Sequence, residues 1–263
     1  TSGNGYGSPF PGIENPTDEP TESGDWPPAW TDGGDNGLNA TPWTVMTYND
    51  IYAEEYAPIE GAEKGFLTEL GAFDIAAIQY LYGPNNSNKT GDDTYSLDLN
   101  LNGFQSIWDA AGNDTIDASS STGSVTIDLR NATLENEPGG GGFVSQVDGQ
   151  LKGYTIAYNS TGNAVIENAK GSAYADYLRG NSSNNTLDGQ AGFDTLDGQA
   201  GFDTATFSGN IGEYNLSLDG SSGAFQVADN SSSRDGTDQL FNIERVNFNG
   251  STYDFPTDIT LSA

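Results

Sequence analysis

The residues best placed to do chemistry recur at a fixed pitch. Four nine-residue units run without a gap: GSAYADYLR (171–179), GNSSNNTLD (180–188), GQAGFDTLD (189–197) and GQAGFDTAT (198–206). Their sixth place always carries a side-chain oxygen, as Asp176, Asn185, Asp194 and Asp203, and their eighth an apolar group, as Leu178, Leu187, Leu196 and Ala205. An isolated copy, AAGNDTID, stands earlier at 110–117. Oxygen donors spaced this way among glycine-rich turns suit a hard cation, Ca²⁺ above all.

The charge of the chain points the same way. Thirty-eight acids against eight bases give a formal charge of −30 over 263 residues. A charge of that size repels itself in a compact state and calls for neutralising cations. It makes nucleic acid a poor partner, since phosphate contacts need Lys and Arg, and it excludes anionic membrane surfaces on the same ground. With no Cys, disulfides, thiol catalysis and zinc–thiolate sites are absent together, as suits a secreted bacterial protein stabilised by bound ions. No apolar run has the length of a membrane span. Thr1 is not an initiator Met, so the chain is expected to be processed or trimmed.

The units resemble the RTX nonapeptide G-G-x-G-x-D-x-U-x, where U is a large apolar residue. In that motif the first six residues form a turn that aims carbonyl oxygens at an ion. The sixth adds a carboxylate, and the eighth plants one apolar side chain in a thin core. Two units make one coil, so Asp176 is expected to pair with Asp194 and Asn185 with Asp203, while Leu178, Leu187, Leu196 and Ala205 face inward. Main-chain ligands are expected around Gly180, Gly189, Gly192, Gly198 and Gly201. About four Ca²⁺ ions would cancel roughly eight of the thirty negative charges. The pattern departs at Gln190 and Gln199, which replace the second Gly, and at Phe193 and Phe202 in the fifth place.

The elements that must hold these turns read as mainly β: a parallel β-roll with an antiparallel β cap, preceded by a small region with one helix. Residues 1–42 are Gly-, Pro- and acid-rich without Lys or Arg, and read as irregular. FLTELGAFDIAAIQYLY (66–82) predicts a core helix with Ile75, Ile78, Leu81 and Tyr82 on its buried face, stopped by Gly83-Pro84. The expected organisation is 1–89 for the helix-bearing region, 90–206 for the roll, 207–256 for the cap and 257–263 for a terminal linker or strand.

Several motifs in order resemble the C-terminal part of the serralysin-type secreted metalloproteases. VMTY (45–48) resembles the family's Met-turn, DIAAIQYLYG (74–83) the end of its catalytic domain, and VIENAKGSAYADYLRGN (165–181) the entry to its β-roll. KTGDD (89–93) with WDAAGNDTID (108–117) resembles a family calcium site. The resemblance implies side-chain ligands at Asp109 and Asp114 and main-chain oxygens around Lys89, Gly91, Asp93 and Ala111. The family binds zinc through H-E-x-x-H-x-x-G-x-x-H-P-G. GYGSPFPGIEN (5–15) aligns with its tail, which sets Phe10 on the third histidine and Asn4 on the second. The chain contains no His, so the family's zinc site is expected to be degenerate, with Met46 and Tyr48 retained beneath it and Trp43, Val45 and Met46 filling the core. No other catalytic constellation emerges: adjacent acids such as Glu54/Glu55 do not converge by local geometry, and a Ser nucleophile lacks a His base.

These readings together predict a secreted, calcium-binding, catalytically dead relative of the proteases. It would act as an extracellular structural, assembly or surface module that takes several Ca²⁺ ions and no Zn²⁺. Self-association or a cell-surface or matrix partner is expected, with neither nucleic-acid binding nor membrane insertion. The alternatives are the C-terminal portion of an active zinc protease lacking its zinc helix, and a pseudo-protease that binds peptides without cutting them. FPTDITLSA (255–263) resembles the link into cadherin-like repeats of bacterial adhesins.

Overall fold

The computed structural model describes residues 43–45, 67–135, 137–159, 165–231 and 234–255. A single α-helix among them, α1 (Ala72–Tyr82), precedes sixteen short strands. The first six are β1 (Thr94–Ser96), β2 (Phe104–Ile107), β3 (Thr115–Asp117), β4 (Val125–Asp128), β5 (Ser145–Val147) and β6 (Gly153–Ile156). The repeat region supplies β7 (Asn168–Lys170), β8 (Tyr177–Arg179), β9 (Thr186–Asp188), β10 (Thr195–Asp197) and β11 (Thr204–Phe207). The C-terminal region supplies β12 (Tyr214–Leu218), β13 (Phe225–Asp229), β14 (Thr237–Phe241), β15 (Arg245–Phe248) and β16 (Ser251–Asp254).

The chain winds between two facing sheets. One runs β1-β3-β7-β9-β11-β15-β16, parallel throughout except for the β16 edge. The other runs β12-β13-β14-β10-β8-β4-β5-β6-β2, and its middle four strands, β14, β10, β8 and β4, are parallel. Strands alternate between sheets along the repeats because each nine-residue unit contributes a six-residue turn and a three-residue strand. The hairpin β5–β6 is inserted into the second sheet between β4 and β2, where the first sheet has β1 directly beside β3.

A three-residue strand offers one inward side chain, since side chains alternate between faces. The core is therefore a double file one residue wide. Ile116, Ala169, Leu187, Ala205 and Val246 stand in register in one sheet, and Ile127, Leu178, Leu196 and Leu240 in the other. All are buried, as the repeat pattern predicts for Leu178, Leu187, Leu196 and Ala205. Phe207, Tyr214 and Phe248 close the C-terminal end as an aromatic cluster, with ring centroids 4.8 to 5.6 Å apart.

The C-terminal region departs from a purely antiparallel cap. β14 and β15 pair in parallel with β10 and β11 and so extend the roll by one more coil; the antiparallel pairing is confined to β12, β13 and β16. The reason is in register: Leu240 and Val246 continue the two inward files, so the coil geometry persists without the nonapeptide sequence.

The helix also differs from its sequence reading. It begins at Ala72 after Gly71, whose N–H donates to the Asp74 carboxylate at 2.9 Å. Asp74 also accepts from Thr44 Oγ1 at 2.7 Å and the Val45 N–H at 2.8 Å, pinning residues 43–45 to the first turn. Its buried residues are Ala72 and Gln79, while Ile78, Leu81 and Tyr82 are exposed, so the expected buried face is overturned. The helix meets the rest of the fold through Phe73, which packs on the Trp43, Phe104 and Leu151 cluster, and through Gln79, whose Nε2 donates to the Tyr158 carbonyl at 3.0 Å. Trp43 is buried against Phe104 and Leu151, whereas Val45 is 51% exposed and does not join the core. Asn4, Phe10, Met46 and Tyr48 lie outside the described residues.

Candidate calcium sites

The residue before each repeat strand faces its counterpart on the next coil, and the strand register assembles these positions into two rows, with Asp238 entering its row from within β14. Along one sheet the row reads Asp176, Asp194, Asp238. Along the other it reads Asp93, Asp114, Glu167, Asn185, Asp203, Glu244. Backbone amides tie the rows together. The Asp176 N–H donates to Asp194 Oδ1 at 2.8 Å and the Asp194 N–H to Asp238 Oδ1 at 3.0 Å. In the second row the Asp93, Asp114, Asn185 and Asp203 N–H groups donate to Asp114, Glu167, Asp203 and Glu244 at 2.7 to 2.9 Å. The expected pairs Asp176/Asp194 and Asn185/Asp203 are thus brought together.

Asp93, Glu167 and Glu244 are half-buried and the other six are buried: Asp114 and Asp203 are fully enclosed, and Asp194 and Asp238 are 1% exposed. One oxygen of each of Asp114, Asp194 and Asp203 is buried without a hydrogen-bond partner. An orphaned carboxylate oxygen in a dry site needs a proton or a cation. Burial pushes Asp114 up to about 6, with repulsion from Asp109 adding to it, and pushes Asp203 up to about 6, with repulsion from Glu244 adding to it. Burial also raises Asp194 and Asp238, and repulsion from Asp176 and Asp194 respectively raises them further. Four arginines of the described residues pair elsewhere, with Asp128, Asp197, Asp229 and Asp254.

The turns leave room for main-chain ligands. A Cβ at Gly192 would lie 2.4 Å from the Tyr174 carbonyl oxygen and 2.6 Å from Asp194 Oδ1; one at Gly201 would lie 2.4 Å from the Ser183 carbonyl oxygen. Carbonyls and carboxylates of adjacent coils converge there so closely that only glycine fits. Gly180, Gly189 and Gly198 open the turns directly beside Asn185, Asp194 and Asp203. The donor set, all oxygen and partly main-chain, fits Ca²⁺. Gln190 and Gln199 adopt the left-handed φ of +65° and +70° that the motif assigns to glycine. Each offsets that strain by donating its side-chain amide to the preceding Asp188 or Asp197, at 2.7 and 2.6 Å.

A third cluster lies at the start of the roll. The carboxylates of Asp93, Asp109 and Asp114 lie within 4.8 Å of one another. Gly91 presents its carbonyl oxygen 2.2 Å from where a Gly112 Cβ would stand, and the Ala110 N–H donates to the Lys89 carbonyl at 3.2 Å. Ala111 sits beside Asp109, whose Oδ1 accepts its N–H at 3.3 Å. Tyr95 donates to Asp109 Oδ2 at 2.6 Å. Asp93 thus contributes its side chain here, where the sequence reading gave it only a main-chain oxygen. Sequence reasoning also missed Glu167, Asp238 and Glu244. For Glu167 and Glu244 the available signal was the Ile-Glu pair shared by VIEN (165–168) and NIER (242–245); Asp238 carries no such mark.

Comparison with known proteins agrees with this geometry. Residues 170–205 match the RTX calcium-binding nonapeptide repeat, in four copies. A serralysin of Proteus mirabilis is 36% identical over 139 residues, covering 48% of this chain and 26% of the relative. Metallopeptidase AprA of Pseudomonas marginalis is 30% identical over 169 residues, 59% of this chain and 34% of the relative. Serralysin C of Dickeya chrysanthemi is 38% identical over 88 residues, 29% of this chain and 18% of the relative. The chain thus spans at most about a third of the length of these relatives. Among the described residues no helix is long and apolar enough to cross a membrane. The chain carries RTX calcium-binding repeats on a β-roll, and it resembles the C-terminal region of the serralysin-type metalloproteases.

Proposed function

We propose that this chain is a secreted, calcium-loaded β-roll module that works as an extracellular structural or assembly element without the zinc chemistry of its protease relatives. The observation that carries the reading is the pair of buried oxygen rows, whose negative charge is not matched by the arginines nearby. The chain's 263 residues include no His, and Phe10 aligns where the protease motif has a zinc ligand. Calcium is the natural counter-ion, and extracellular modules of this kind bind it with Kd of about 10⁻⁴ to 10⁻³ M. Self-association or docking on a cell surface or matrix is the role that suits such a module.

Thermal unfolding in chelator and in 10 mM calcium tests the calcium half of the proposal. A site with Kd of about 10⁻⁴ M adds about 2.7 kcal/mol at that concentration. Four sites then raise Tm by roughly 20 to 40 °C for a fold of this size. A shift of only a few degrees, or one that magnesium reproduces, sinks it. The second half is tested by incubating the chain with zinc and casein, where hydrolysis removes the non-enzymatic reading. Self-association that persists unchanged in excess chelator removes the calcium-driven assembly role.

One observation favours peptide binding as a second reading. A cleft of about 780 Å³ lies between α1 and the first coils, lined by Leu70, Ile75, Ile78, Trp108 and Tyr154. Quenching of tryptophan fluorescence by a mixed peptide library, lost in Trp108→Phe, is the outcome this reading requires.

A further inference from the structure

We propose that the C-terminal cap is latched to the roll by two divalent-cation sites of its own, one between Asp194 and Asp238 and one between Asp203 and Glu244. The proposal rests on the calcium reading above and extends it to residues outside the nonapeptides. The first site joins β10 to β14. Asp238 is 1% exposed, its Oδ1 accepts the Asp194 N–H at 3.0 Å, and the second oxygen of Asp194 is buried without a partner. The cap turn comes so close that Gly236, at φ +79°, packs its Cα against the Gly192 carbonyl, and the Thr237 N–H donates to that same oxygen at 3.1 Å. The Gly192 carbonyl thus accepts from the cap and ties the turn of the third repeat to β14.

The second site joins β11 to β15. Glu244 Oε2 accepts the Asp203 N–H at 2.8 Å, and Asp203 Oδ2 is fully buried without a partner. Asn242, at φ +51°, directs its carbonyl oxygen to within 2.2 Å of where a Gly198 Cβ would stand. The same arrangement recurs earlier in the row. There Glu167 Oε2 accepts the Asp114 N–H at 2.9 Å, and Asp114 Oδ2 is again buried without a partner. In both places a glutamate following an isoleucine completes a turn whose aspartate has one unsatisfied oxygen. A buried carboxylate and a second one on the adjacent coil repel unless an ion lies between them, and the cap strands bring their half of each site from outside the repeats. Calcium, and not apolar packing alone, then holds the cap on.

The test uses the full 263-residue chain, CaCl₂ as the only added cation, equilibrium dialysis to count bound ions, and amide exchange to follow β12–β16 and β8–β9 separately. Asp238→Asn and Glu244→Gln are each expected to lose one bound calcium. Each should also need about tenfold more calcium to protect the cap amides, with β8–β9 still protected at the wild-type concentration. Leu240→Ala serves as the packing control and is expected to weaken the cap with no change in the number of ions. Variants that keep the wild-type stoichiometry and calcium midpoint, while the wild type does bind calcium, overturn this proposal alone. A wild type that takes up no calcium at millimolar concentration overturns the calcium reading beneath it. If either variant fails to fold, the wild-type titration decides. Cap amides protected in excess chelator refute the latch; cap protection that rises only with calcium uptake supports it.

Discussion

Asp203→Asn should invert its effect on stability when calcium is removed. Asp203 is fully enclosed, with one oxygen unpartnered, and burial with the nearby Glu244 charge lifts its carboxyl from 3.8 to about 6. A carboxyl that binds its proton more tightly when folded stabilises the fold below about pH 4 and loses that contribution as pH rises through about 6. The ionised folded state at pH 7 is then worse off by up to about 3 kcal/mol. A carboxamide removes the charge and keeps the acceptor for the Asn185 N–H. Asn185 shows that such a seat accepts it, since its Nδ2 finds the Glu167 carbonyl at 3.1 Å one coil earlier. Allowing for an imperfectly satisfied amide, Asp203→Asn should gain roughly 1 to 2 kcal/mol in chelator at pH 7. It should gain nothing there at pH 4, and in 10 mM calcium it should lose stability, because a ligand shared by two coils has gone. Urea unfolding followed by circular dichroism reads all three conditions, with trimethylamine N-oxide added equally where the chelated chain needs it to fold. A variant equally destabilised in chelator at pH 4 and pH 7 would refute the argument that buried charge, not packing, sets the need for calcium.

Two further outcomes follow from the geometry. Leu187 is fully buried between Ala169 and Ala205 in a core one residue wide, where small neighbours cannot collapse into a void. Leu187→Ala should cost about 3 to 5 kcal/mol in calcium, measured by urea unfolding; a cost below about 1 kcal/mol would mean the file is not the core. Gly236→Ala places a Cβ against the Gly192 carbonyl at positive φ. It should cost about 3 kcal/mol or more and strip exchange protection from β12–β14 first, whereas an unchanged Tm would show that the cap turn is looser than its packing.

The inward files and the two pairs of row residues were legible because a nine-residue unit with a three-residue strand leaves each side chain one possible direction. Beyond residue 206 that rule is lost. Asp238 and Glu244 occupy the same seats as Asp194 and Asp203, but the hairpin β12–β13 intervenes and no nonapeptide marks them. The Ile-Glu pair hints at Glu244, but the role of Asp238 comes from strand register, which only the folded chain reveals. Helix α1 failed differently. Its apolar spacing predicts a buried face, yet periodicity says nothing about what covers a face, and the helix meets the roll through Phe73 and Gln79 instead. Gln190 and Gln199 looked like defects of the motif. Their left-handed backbones are held by amide bonds to the preceding aspartates, a local compensation that a consensus conceals.

The alternation of strands between sheets also bears on how such a chain can change length. Removing or adding eighteen residues returns each side chain to its own sheet and each carboxylate to its own row. A nine-residue change would send every later strand to the opposite wall, placing Asp238 in the row that Glu244 now completes. The near-identical units at 189–197 and 198–206 sit on opposite walls, so together they form one full coil. The smallest change in the number of repeats that preserves both rows is therefore a pair.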